Sequence, residues 1–254
     1  VRFYLGTHKT GWLSRTDVPL FVSDRRLRER VKLPRALGRW ALDSGGFTEL
    51  SLYGRWVTTP GEYAARVRRY SDEIGGLDFA AVQDWMCEPF MLEKTSSTVQ
   101  QHQQRTIDSV LELHHLQPDL PWLPVLQGWT RDDYLRHLHA YAARGIDLMK
   151  FDRVGLGSVC RRQSTTSAAA IVRELGGLGL QLHLFGYKRQ GLAQVQGFAC
   201  SSDSMAWSFA ARRRRLRMEG CTHQTCNNCL RWALHWRGLT ISRDEQPAQL
   251  SLFG

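Results

Sequence analysis

Short apolar runs alternating with helical periodicity constrain this chain more than any other feature. The runs are Phe3-Tyr-Leu-Gly, Pro19-Leu-Phe-Val-Ser, Trp40-Ala-Leu-Asp, Asp78-Phe-Ala-Ala-Val-Gln, Trp122-Leu-Pro-Val-Leu-Gln, Val154-Gly-Leu-Gly, Leu182-His-Leu-Phe-Gly and Phe198-Ala-Cys-Ser. Between them, Glu62 to Ile74, Val99 to Leu116, Arg131 to Arg144 and Ser164 to Leu175 carry apolar residues at helical spacing. Strands alternating with helices indicate parallel βα units. Eight such units within the first 210 of 254 residues indicate an α/β fold of the (β/α)8 TIM barrel type. An open doubly wound sheet is the alternative, but no G-x-G-x-x-G follows the first strand. The expected division is a catalytic barrel over 1–210, a basic run and cysteine-rich subdomain over 211–238, and a tail over 239–254.

Charge narrows the partners. The formal net charge is +10, and 29 of the 34 cationic residues are Arg. Arg carries a planar fork of donors that fits phosphate and stacks on bases. Genomic bias toward Arg codons produces the same skew, but an excess of this size puts nucleic acid first. No apolar run approaches the roughly 20 residues of a membrane span, and Val1-Arg-Phe-Tyr-Leu-Gly lacks a signal-peptide layout. The expected location is the cytoplasm, with no membrane partner.

In a barrel, chemistry sits where the strands end. Here the ends are Asp43-Ser-Gly-Gly-Phe47, Gln83-Asp84, Gln127-Gly128, Gly155-Leu-Gly157, Gly186-Tyr-Lys188 and Ser201-Ser-Asp203. A single Asp in such a place usually caps the next helix. Three Asp and a Gln on separate strand ends indicate a site instead. Asp84 and Gln127 suit a purine, the carboxylate accepting N–H donors and the amide meeting the carbonyl. Gly155 and Gly157 leave room for close approach, and Ser44 and Lys188 are further candidate substrate contacts. Asp203 and Asp43 suit a double displacement at a sugar carbon, one attacking and one moving protons. Residue chemistry alone does not order them.

Cys221-Thr-His223-Gln-Thr-Cys226-Asn-Asn-Cys229 holds three thiols and an imidazole at knuckle spacing. This set indicates structural Zn2+ with four protein ligands and no open position. His235 is the alternative fourth ligand. Cys87, Cys160 and Cys200 read as reduced, buried thiols.

Several of these stretches resemble a known family. Asp43-Ser-Gly-Gly-Phe47, Val125-Leu-Gln-Gly128, Gly155-Leu-Gly-Ser158, the late Asp203 and the cysteine cluster resemble motifs of tRNA-guanine transglycosylases. Trp40 to Leu50, Gln83 to Phe90, Gly155 to Arg162 and Ser204-Met-Ala-Trp207 are more similar to the phage and bacterial branch acting on DNA, the deazapurine DNA-modifying transglycosylases. The resemblance spans residues 3 to 237. Thr48 stands where the tRNA enzymes have Gln, and His223 where they have Cys. The chain is also shorter than those enzymes, which favours DNA. The resemblance implies exchange of guanine for a free 7-deazaguanine base such as 7-cyano-7-deazaguanine. It makes Asp203 the nucleophile, Asp43 the general acid/base, and Asp84, Gln127 and Gly157 the base contacts. Phosphate contacts are expected from Arg161, Arg162 and the run containing Arg212, Arg213, Arg214 and Arg215. Trp85 or Tyr187 is expected to stack on the base. Finally, Gln249, Leu250, Leu252 and Phe253 resemble the short peptide with which bacterial replication proteins dock on the sliding clamp.

Overall fold

The computed structural model describes residues 1–241. Nine parallel strands line one sheet: β1 (Arg2–Thr7), β2 (Leu20–Ser23), β3 (Trp40–Asp43), β4 (Leu77–Ala81), β5 (Trp122–Leu123), β6 (Val125–Leu126), β7 (Val154–Leu156), β8 (Leu182–Leu184) and β9 (Ser201–Ser204). Their order is β5-β4-β3-β2-β1-β9-β8-β7-β6. The two ends of that order, β5 and β6, are consecutive in the chain and separated by Pro124. Proline has no N–H to continue a ladder, so the fifth expected strand is split in two. Its first half pairs with β4 and its second with β7, which closes the ring. The result is a TIM-like barrel.

Helices cover the outside. They are α1 (Asp24–Leu27), α2 (Gly46–Tyr53), α3 (Pro60–Ile74), α4 (Pro89–Thr95), α5 (Val99–Leu116), α6 (Arg131–Ala143), α7 (Thr166–Gly177), α8 (Arg189–Gln194), α9 (Ala206–Arg213) and α10 (Leu230–Ile241). Their starts are locally encoded. Thr59, Thr98 and Thr130 each cap the third following N–H, and Glu62, Gln101 and Asp133 return the bond. In α3, Tyr63, Ala64, Val67, Tyr70 and Ile74 form one buried face. Asp24 in α1 accepts Arg66 Nε at 2.9 Å, Arg66 Nη2 at 2.8 Å and the Tyr70 hydroxyl at 2.9 Å, tying α1 to α3.

Strand alternation builds two layers. Phe3, Leu5, Leu20, Val22, Trp40, Leu42, Val154, Leu156, Leu182 and Leu184 join the large outer core with the helices. The intervening Tyr4, Phe21, Ala41, Phe79, Ala81 and Leu123 pack together inside the ring. Side chains two residues apart share a face of a strand. The parity that puts Ala41 inside therefore turns Asp43 into the mouth, and Ser201 does the same for Asp203.

One strand begins later than expected. The eighth run reads as Phe198 to Ser201, but β9 is Ser201–Ser204. Its four residues are polar and buried, so apolar patterning does not mark it. The chain after α9 returns to the barrel. Trp207 donates to Gly6 O at 2.8 Å, Trp232 donates to Trp207 O at 3.0 Å, and Trp236 packs against Phe3. No helix among the described residues is long and apolar enough to cross a membrane.

Candidate active site and metal centre

A cavity of about 830 Å³ opens at the C-terminal ends of the strands. Asp43, Asp84, Gln127, Gly157, Arg161 and Asp203 all line it. They come from β3, the segment after β4, the segment after β6, the β7 end, the following loop and β9.

Gln127 is held on every side. Its N–H donates to His137 Nδ1 at 2.9 Å, and its carbonyl accepts Gln103 Nε2 at 2.7 Å. His137 can accept only as a neutral ring, and burial pushes its pKa down to about 3. The side-chain amide of Gln127 donates to Asp84 Oδ2 at 2.5 Å. The Ser158 hydroxyl lies 2.7 Å from Gln127 Oε1 and 2.8 Å from Glu88 Oε2, and it accepts the Cys87 N–H at 2.8 Å. A Cβ at Gly157 would lie 2.1 Å from Gln127 Nε2. The close approach at Gly157 is thus made first by a protein amide. That amide has a second N–H, although Gln127 as a whole is fully buried.

The carboxylates differ in surroundings. Burial pushes Asp84 up to about 7, against the opposing bond from Gln127. Burial also raises Asp43, helped by the charge of Asp203 and opposed by bonds from the Gly45 N–H and Ser23. Asp203 accepts the Gly186 N–H at 3.0 Å and has His183 Nε2 at 3.5 Å. Gly186 sits at φ +70° with Cys160 Sγ 2.1 Å from where a Cβ would be, so only glycine presents that N–H cleanly. His183 is buried among Tyr4, Phe21, Phe79 and Phe185, and burial lowers its pKa.

Other expected residues lie elsewhere. Gly155 sits one layer below Gly157, where a Cβ would strike the Phe185 ring. Ser44 is buried and Lys188 exposed, and neither lines the cavity. Arg162 stacks on Trp129 and donates to Trp129 O, Ser158 O and Tyr134 Oη, which makes it a brace of the loop. Trp85 lies under Arg105, and Tyr187 is fully buried; both are outside the cavity lining. Arg212 to Arg215 are exposed at the end of α9. Of the expected cationic contacts only Arg161 reaches the mouth, where it lies 5.1 Å from the Phe47 ring and 4.8 Å from the Phe90 ring.

Sequence reasoning missed Glu88, Ser158, Gly186, His8, Arg25 and Arg26, all on the cavity wall. The first three fall within stretches already singled out. Nothing in the pattern marks His8, Arg25 or Arg26.

The ligand atoms of Cys221, His223, Cys226 and Cys229 lie within 4.8 Å of one another. Cys221 and Cys226 sulfurs are 3.8 Å apart, close to the roughly 3.8 Å edge of a tetrahedron with Zn–S bonds of about 2.3 Å. The four residues fit a metal ion. His235 is outside the group and packs on Trp232, so geometry favours His223 as the fourth donor. The Gln249 to Phe253 motif lies outside the described residues.

Fold and site define a TIM-like barrel with a carboxylate-rich mouth and an appended Cys3His cluster. The chain belongs to the deazapurine DNA-modifying transglycosylase family: the family model described as DpdA, DeoxyPurine in DNA protein A, matches residues 1–249. No curated protein matches it.

Proposed function

We propose that this chain exchanges guanine in DNA for a 7-deazaguanine base, such as 7-cyano-7-deazaguanine. The observation that carries the proposal is the convergence of Asp43, Asp84, Gln127 and Asp203 on one cavity, in a chain of this family.

The target nucleotide first leaves the stack, at a cost of roughly a few kcal/mol. Asp84 accepts the ring and amino N–H groups of guanine, and the second N–H of Gln127 meets its carbonyl. An Asp203 oxygen attacks C1′ and the C1′–N9 bond breaks, its electron pair leaving on guanine N9. Asp43, protonated more readily than a free carboxyl, delivers the proton to the departing base. The deazaguanine then enters the same pocket. Asp43 takes its ring N–H proton, the ring nitrogen attacks C1′, and the bond to Asp203 breaks. Two inversions give net retention. One glycosidic bond replaces another, so no ATP or redox cofactor is required.

The barrel, residues 1–210, carries this chemistry. In the segment 211–238, Cys221, His223, Cys226 and Cys229 are proposed to hold a structural Zn2+ that organises the loop before α10. Residues 239–241 belong to α10 and not to the expected tail; beyond the described residues, Gln249, Leu250, Leu252 and Phe253 are proposed to dock on the sliding clamp.

Incorporation of radiolabelled guanine tests the reaction in duplex DNA and in tRNA. Label in DNA that disappears in Asp203→Ala is the expected result. Label in tRNA alone moves the activity to RNA, and no label in either overturns base exchange.

A further inference from the structure

A second concavity, of about 340 Å³, lies beside the mouth. His8, Lys9, Arg15 and Arg30 line it, together with Thr10, Gly11 and Trp12. These residues follow β1 and β2, so the concavity opens on the same face of the barrel as Asp43 and Asp203. His8 forms the shared wall, since it lines both cavities.

The charge here is unbalanced. Arg25, Arg28, Arg66, Arg68, Arg69 and Arg131 each reach a carboxylate. Lys9, Arg15 and Arg30 form no ion pair among the described residues, and no Asp or Glu lines their concavity. All three are exposed. Positive charge continues toward the mouth, because Arg26 and Arg212 both act on His8 alongside Lys9. The wall itself is fixed: His8 is 2.5 Å from Asn228 Oδ1 and lies parallel to the Trp207 ring.

We infer that this concavity is a phosphodiester site, holding the backbone of the DNA strand whose nucleotide enters the mouth. The inference rests on the DNA-exchange reading. A nucleotide seated over Asp203 has its flanking phosphates at the rim. Three unpaired cations on one side of that rim meet them without reading any base, which positions the strand and leaves sequence choice elsewhere. Each cation engaged on duplex DNA releases condensed counterions and steepens the salt dependence of binding.

The test is anisotropy binding of a labelled duplex across a salt series, comparing wild type with the Arg15→Gln/Arg30→Gln double variant. A Lys94→Gln/Lys150→Gln variant removes the same charge from exposed positions that line neither cavity. The expected result is a slope of log K against log salt shallower by about 2 in the Arg15/Arg30 variant, with binding about tenfold weaker or more at moderate salt. Guanine exchange by that variant should show a raised KM for DNA with kcat retained. An unchanged slope, or an equal loss in the control variant, overturns the phosphate site. Exchange by wild type is read in the same samples, so its absence counts against the reaction and not against the concavity.

Discussion

At the scale of single residues, Asp84 carries a pH signature. Its folded pKa is raised by burial to about 7, well above the roughly 3.9 of an unfolded Asp. The fold therefore binds a proton that the unfolded chain releases. This contribution is complete below about pH 4 and is lost as pH rises through about 7. The stability difference between wild type and Asp84→Asn, from denaturant midpoints, should fall over that window. Buried histidines such as His137 act in the opposite sense, but they are common to both proteins and cancel. A difference that stays flat would mean that Asp84 is ionised in the fold. Gly157 gives a second prediction. Its missing Cβ makes room for a Gln127 amide engaged with Asp84 and Ser158. Gly157→Ala should shift that amide and reduce kcat/KM for guanine exchange by about a hundredfold, as misplacements of about 1 Å do. Steady-state kinetics beside a circular dichroism melt separate this from unfolding.

Secondary-structure elements show which features the sequence makes legible. Strands with alternating apolar residues are readable because both layers of the barrel are apolar, and the parity that fills the ring also aims Asp43, Gly157 and Asp203. Helices α3, α5 and α6 announce their starts through Thr caps. What stays hidden is polar and buried. Strand β9 has no apolar residue, and its side chains are accommodated by partners far away in sequence, such as Ser201 beside His183. Ser158 and Gly186 act through a hydroxyl and a backbone N–H, which no residue pattern announces. Lys188 and Arg162 look like ligand contacts in the sequence, yet one points to solvent and the other braces a loop. The C-terminal elements give a third prediction. Cys226 is fully buried against the core that holds Trp207 and Trp232. Chelation should lower the thermal midpoint and expose α10 amides to hydrogen exchange while strand amides stay protected. Unchanged exchange in α10 would remove any structural role for the metal. Trp207→Ala should destabilise the fold by about 3–5 kcal/mol in urea unfolding, because the fully buried indole donates to Gly6 O in β1 and packs against Trp12 and His8.

For the whole molecule, activity and recruitment should separate. Deleting residues 249–254 should abolish co-elution with a sliding clamp and leave base exchange on free DNA intact, since Asp43, Asp84, Gln127 and Asp203 all come from the barrel. Co-elution that survives the deletion would exclude the tail as the docking peptide.

The pairing of β1 with β9 also governs how the molecule is made. Arg2 lies beside Ser201, and Tyr4 beside Asp203. The first strand emerges from the ribosome about 200 residues ahead of its neighbour, so the ring cannot close until β9 has been made. Contacts so distant in sequence make folding slow and leave strand edges open meanwhile. Asp203 arrives on β9, the last strand among the described residues. A chain without β9 has neither a closed ring nor Asp203 on its wall. Cavity and carboxylate set are thus completed together, by one late strand.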